Sequence, residues 1–126
     1  MATGTMKSNA SYVLLWTNPN PNSSFSAQTI SLNLSDYNAI MVEFYEYAPI
    51  ESRHSLGSVT AIVGEQKSEV VMCPYLNYEN NQKKVESFSA RPFRTPDNTG
   101  VIFYEAMNAV GQNDSQCVPI HIYGIR

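Results

Sequence analysis

The chain has 126 residues, of which 43% are hydrophobic and only 15% charged. That length suits one domain able to bury a core without disulfide or metal staples, and the scarcity of charge excludes a coiled coil, a basic nucleic-acid arm and a charge-rich disordered tail. A net charge of −3 gives no electrostatic pull toward DNA, RNA or an anionic membrane, so neither nucleic acid nor membrane is an expected partner.

Residues 1–9 are small and polar, and are expected to form a flexible N-terminal tail or the remnant of a stalk. They hold no apolar segment of a secretory signal, and no run in the chain approaches the roughly 18 apolar residues of a membrane helix. Residues 10–126 read as a single domain dominated by a period of two. A first short strand is expected over residues 12–16. Residues 29–34 alternate, with Ile30, Leu32 and Leu34 on one face. Residues 39–47 put Ile40, Val42 and Phe44 inward and Met41, Glu43 and Tyr45 outward. Residues 58–63 place Val59, Ala61 and Val63 together. Apolar runs at 69–73, 85–90 and 101–105 read as further strands, and 117–123 sets Val118, Ile120 and Ile122 against His121 and Tyr123. Pro119 inside that last pattern cannot donate to a ladder, which predicts an edge strand or a bulge there.

Turn signals separate these runs, among them Asn18-Pro19-Asn20-Pro21-Asn22, Tyr78-Glu79-Asn80-Asn81 and Thr95-Pro96-Asp97-Asn98. With 14 Ser and 12 Asn against 8 Lys and Arg, the polar part of the chain is built for turns and long loops. About eight strands without intervening helices predict an all-β fold, an antiparallel two-sheet β-sandwich of jelly-roll-like type, with Ile30, Leu32, Leu34, Ile40, Val42, Phe44, Val59, Val63, Val118, Ile120 and Ile122 in the core.

Chemistry-bearing residues are sparse. His54 and His121 have no second His or Cys at metal-ligand spacing, so no metal and no cofactor are expected. No nucleophile elbow or phosphate-cradling glycine loop occurs. Glu43, Glu46, Glu51 and Glu105 show no sequence sign of an acid–base pair, and the domain is read as non-enzymatic. Cys73 and Cys117 allow one disulfide, but two reduced buried thiols are the favoured expectation. Arg91 and Arg94, flanking Pro92-Phe93, either guard an edge strand or contact an anion or sugar. Aromatic residues give the binding signal. Tyr75 and Tyr78 are expected in a loop beside Asn77, Asn80 and Asn81, where rings stack on a sugar and amides bond its hydroxyls, or else pack at a subunit interface. Tyr45 and Tyr47 favour interface packing.

Two stretches carry a resemblance. One is Leu14-Leu15-Trp16-Thr17-Asn18-Pro19-Asn20-Pro21-Asn22-Ser23-Ser24-Phe25, continuing through Gln28-Thr29-Ile30, Leu32 and Leu34 to Tyr37. The other is Cys117-Val118-Pro119-Ile120-His121-Ile122-Tyr123-Gly124-Ile125-Arg126. Together they resemble the C-terminal domain of tail-fibre, head-fibre and other minor structural proteins of phages and prophages of Gram-positive bacteria. There an "LW-x-N-P-x-P-x-S-x-F-x-x-Q-T-I-x-L-x-L-x-x-Y" opening and an "I-P-x-x-I-Y-G-I-K" ending bracket a variable middle. Arg126 stands where that ending has Lys, and residues 49–98 match nothing in the group.

The resemblance implies a viral structural domain of a virion, assembled in the bacterial cytoplasm and acting at the host cell surface. It would be a homotrimer serving host attachment, with host cell-wall polysaccharide as the receptor. The matched residues would fix the fold, with Trp16 plugging the end of the sandwich, Phe25 folding back beneath the proline loop and Tyr37 closing a turn. Recognition would fall to the unmatched middle, at Arg53 and His54 and at Tyr75, Asn77, Tyr78, Asn80 and Asn81. Two other readings stay open: a carbohydrate-binding module of a surface enzyme, or a free phage-encoded intracellular protein binding a host protein or small metabolite.

Overall fold

A computed structural model describes residues 11–46, 53–55, 57–64, 70–79, 81–108 and 116–126. Nine strands run through them: β1 (Tyr12–Thr17), β2 (Gln28–Ser31), β3 (Ala39–Glu46), β4 (Arg53–Ser55), β5 (Val59–Ile62), β6 (Val71–Glu79), β7 (Gln82–Arg94), β8 (Gly100–Met107) and β9 (Cys117–Ile125). The expected tail at residues 1–9, together with Tyr47, Glu51 and Asn80, lies outside the described residues.

The strands form the expected antiparallel two-sheet sandwich. Sheet A has the order β1-β9-β3-β5 and sheet B the order β2-β8-β7-β6-β4. Successive strands alternate between the sheets, except that β6, β7 and β8 follow one another within sheet B. Strands remote in sequence therefore pair, β1 with β9 and β2 with β8, as in a jelly roll.

The alternation of β3 appears as read. Ile40, Val42 and Phe44 are fully buried, while Ala39, Met41, Glu43 and Tyr45 line the outer face. Leu34, Val63, Val118 and Ile122 join them in a core completed from sheet B by Cys73, Tyr75, Phe88, Val101 and Phe103.

Four expected core residues, Ile30, Leu32, Val59 and Ile120, are only half-buried. Ile30 and Val59 sit on β2 and β5, which are edge strands, and Leu32 lies just past the end of β2. Ile120 has a different cause. Glu43 faces His121 but Phe44 faces Pro119, so Ile120 is the extra residue of a bulge in β9. Pro119 thus sits in a central strand, at a bulge, which is one of the two placements its missing N–H allows.

The arginines of β7 guard no edge, because β7 lies between β8 and β6. A second bulge, on β8, turns the Glu105 carbonyl toward Arg91, whose Nε and Nη2 donate to it at 3.2 and 3.0 Å. Arg94 is buried. Its Nη2 donates to the carbonyls of Leu34 (2.8 Å) and Tyr37 (3.0 Å) and its Nε to Asn98 Oδ1 (2.9 Å), tying the end of β7 to the β2–β3 connection. Both guanidiniums hold backbone carbonyls, and that of Arg94 also holds the Asn98 side chain.

Candidate functional site

The connection between β1 and β2 closes one end of the sandwich and leaves a cleft beside itself. It begins at Asn18, a buried residue whose N–H donates to the Ile120 carbonyl (2.9 Å) and whose Nδ2 donates to the Pro119 carbonyl (2.9 Å). Both acceptors lie at the β9 bulge. The Asn18 Oδ1 then accepts the Asn20 N–H at 2.8 Å, an Asx turn that aims the chain outward, and Ser23 Oγ returns to the Asn20 carbonyl at 3.0 Å. The Tyr45 hydroxyl, on the outer face of β3, donates to the Pro21 carbonyl and lies 3.0 Å from Asn22 Oδ1, so the proline segment is fastened to sheet A.

The cleft so formed has a volume of about 310 Å³, at the small end of ligand sites. Its apolar wall is Trp16, Phe25 and Ile30, and its polar lining is Asn18, Asn20, Ser23, Ser24, Ser26 and Gln28. The aromatic wall is rigid because it continues into the core. Trp16 meets Phe25 edge-on at 6.1 Å, Phe25 meets Phe103 at 5.3 Å, and Phe103 meets Phe44 at 6.1 Å. Phe25 thus folds back beneath the loop as its sequence position suggests. None of the lining residues titrates. Amides, hydroxyls and ring faces can bind a neutral polar molecule, and they supply no general acid, base or nucleophile.

The residues expected to bind are distributed differently. Residues 75–79, expected in a loop, belong to strand β6. Proline and asparagine suggested irregular backbone there, but the period of two persists. Cys73, Tyr75 and Asn77 face inward, and Met72 and Tyr78 face out. Tyr75 is 2% exposed, stacks on Phe88 at 4.8 Å and donates to Glu86 Oε2 at 2.6 Å. It is a core residue, and Asn77 is buried beside it in the strand. Tyr78 is at the surface with Lys83 Nζ 5.6 Å from its ring centre, and Asn81 takes φ of 61° in the β6–β7 turn, a left-handed conformation that asparagine tolerates. Arg53 and His54 lie on β4, in register with Asn77 and Leu76. The fold therefore brings Arg53 and His54 beside Asn77 at one edge of sheet B, and Tyr78 and Asn81 are exposed. Sequence reading assigned the cleft residues to the fold alone. The signal that also marks a site is the density of Asn and Ser around Trp16 and Phe25.

A further pair of polar side chains is formed by strand register. Glu43 and His121 are partners across β3 and β9, with Oε1 and Nδ1 2.7 Å apart on the outer face of sheet A. Hydrogen bonds from His121 and then from Ser58 hold the Glu43 carboxyl below its usual range, against a smaller opposing effect of burial. Glu46 points to the other face of β3 and is buried, so Glu43 and Glu46 do not form an acid–base pair. Among the described residues no three of His, Cys, Asp and Glu are grouped to hold a metal ion. Compared with known protein families, curated proteins and solved structures, the chain matches none.

Proposed function

We propose that this chain is a non-enzymatic carbohydrate-binding domain of a fibre-type phage appendage, and that the cleft between Trp16 and the β1–β2 connection receives the sugar. The observation that carries the binding reading is the lining of that cleft, two aromatic rings and a ring of amides and hydroxyls with no ionisable group among them. Such a lining suits a neutral ligand rich in hydroxyls and disfavours a charged one, whose desolvation nothing there would offset. The appendage reading rests on the resemblance of the two bracketing stretches. It places the domain in a virion and its receptor in the host cell wall.

The homotrimer belongs to the same proposal. In its support, Leu14, Tyr123, Met41 and Ile62 stand in one register row across all four strands of sheet A, on the outer face, with Leu14 53% and Ile62 58% exposed. A continuous apolar row of this kind is unusual on a monomer and suits a surface covered by another copy. Native mass measurement at micromolar concentration tests it, and a single 14.1 kDa species would remove the trimer.

The binding test is titration with fragments of Gram-positive cell-wall polysaccharide. A small cleft buries few atoms, so a single site should bind at high micromolar to millimolar Kd. Multiple copies on a repetitive polymer would restore avidity. Trp16→Ala and the exposed pair Asn20→Ala, Ser24→Ala should each weaken binding at least about tenfold with the fold intact, while Tyr78→Ala leaves it unchanged. If Tyr78→Ala abolishes binding and the cleft variants do not, the β6–β7 hairpin is the site.

A further inference from the structure

Cys73 and Cys117 are the chain's only cysteines, and they come from opposite sheets. Cys73 lies on β6 in register with Phe88 of β7, and Cys117 opens β9 in register with Glu46 of β3. Both are unbridged, 1% and 2% exposed, and belong to the same core cluster. Within that core Cys73 is the hydrogen-bonding neighbour of the Cys117 thiol. We propose that this pair is a latent inter-sheet cross-link, two thiols when the chain folds under reducing conditions and one disulfide when it folds in the presence of a disulfide oxidant such as oxidised glutathione.

The chemistry balances as two exchanges. The thiolate of one cysteine attacks the glutathione disulfide, whose S–S bond breaks and releases one reduced glutathione. The second cysteine, deprotonated, attacks the protein sulfur of that mixed disulfide and releases the second. Two thiol protons and two electrons pass from the protein to the oxidant, and one S–S bond joins β6 to β9.

Packing decides when the exchange occurs. In the folded state the bond to Cys73, followed by burial, pushes the Cys117 thiol far above the usual thiol range, and no oxidant reaches sulfurs that are almost wholly covered. The native reduced domain should therefore be inert, and the exchange belongs to the unfolded or opening chain. The bridge then closes a long loop holding β7 and β8, which constrains the unfolded ensemble and raises stability.

The test uses the whole chain. Reduced protein is unfolded, refolded in a glutathione buffer dominated by the oxidised form, quenched with iodoacetamide and weighed. The expected product is a folded chain lighter by two hydrogens and carrying no alkyl group. Its Tm should lie at least about 5 °C above that of the same sample after reduction. Native reduced protein held in the same buffer should gain the bridge at least about tenfold more slowly than refolding protein. Cys117→Ser, where it folds, should show no Tm difference between the two buffers. Recovery of folded chains with two alkylated thiols or with glutathione adducts would overturn the proposal, as would covalent dimers or a bridged form that melts below the reduced one. The wild-type mass decides the matter even if the variant fails to fold.

Discussion

The ring of Tyr37 lies directly on Gly124, so closely that a Cβ at position 124 would overlap it. The contact joins the connection between β2 and β3 to the end of β9. The Arg126 guanidinium completes the arrangement 5.2 Å from the centre of the same ring. Glycine at 124 is thus dictated by close approach rather than by an unusual backbone angle. Gly124→Ala must push the Tyr37 ring away and should cost about 1–3 kcal/mol. A denaturant midpoint equal to that of the wild type would mean that the ring yields freely.

The inward faces of β3 and β9 were legible because each buries one side of a regular strand, and periodicity reports that directly. Ile120 was misplaced because a bulge shifts the period by one residue. Only the partner strand, 75 or so residues away, reveals where the shift falls. β4 was missed because three residues, Arg53 to Ser55, are too few to show a period. Tyr75 and Asn77 misled for a different reason. Residue type favoured a loop, whereas the neighbouring strand β7 supplies both Phe88 to stack on Tyr75 and Glu86 to accept its hydroxyl. The cleft was invisible because it exists only where the β1–β2 connection crosses between sheets and meets the β9 bulge.

Leu34 and Leu32 share one face of the same segment but not the same burial. Leu34 is fully buried in the core, and its N–H donates to the Asn98 carbonyl at 2.9 Å. Leu32 is half-buried against that core. Leu34→Ala should cost about 2–5 kcal/mol through transfer and cavity terms, and Leu32→Ala distinctly less. The two variants are compared by urea unfolding, and a larger loss for Leu32→Ala would contradict this placement of the segment.

The Glu43–His121 pair predicts a pH signature. The Glu43 carboxyl is held below its ordinary value of 4.5 in the folded state, so its contribution to stability is present above that pH. The contribution is lost as pH falls through the lowered folded value, because the unfolded chain binds the proton first. Wild type should therefore approach Glu43→Gln in stability as the solution is acidified below about pH 4.5, having exceeded it at neutral pH. Urea midpoints of the two proteins across that range make the check. A difference that stays constant with pH would show that the carboxylate charge plays no part.

Asn18 links the fold to the cleft. Its main chain and its amide hold two successive carbonyls at the β9 bulge, while its Oδ1 sets the turn that carries Asn20 to the cleft. Asn18→Ala leaves the buried Pro119 carbonyl without its donor and releases the turn, which should cost about 1–3 kcal/mol. Asn18→Asp keeps the acceptor of the turn but replaces the donor with a carboxylate facing a carbonyl, and should be at least as destabilising. Asn20→Ala, at an exposed position, should leave stability within about 0.5 kcal/mol of wild type. With sugar titrations run beside the denaturation curves, Asn18→Ala should lose both stability and affinity, and Asn20→Ala affinity alone. Unchanged affinity in a folded Asn18→Ala protein would separate the cleft from the turn that Asn18 builds, leaving this residue a purely structural one.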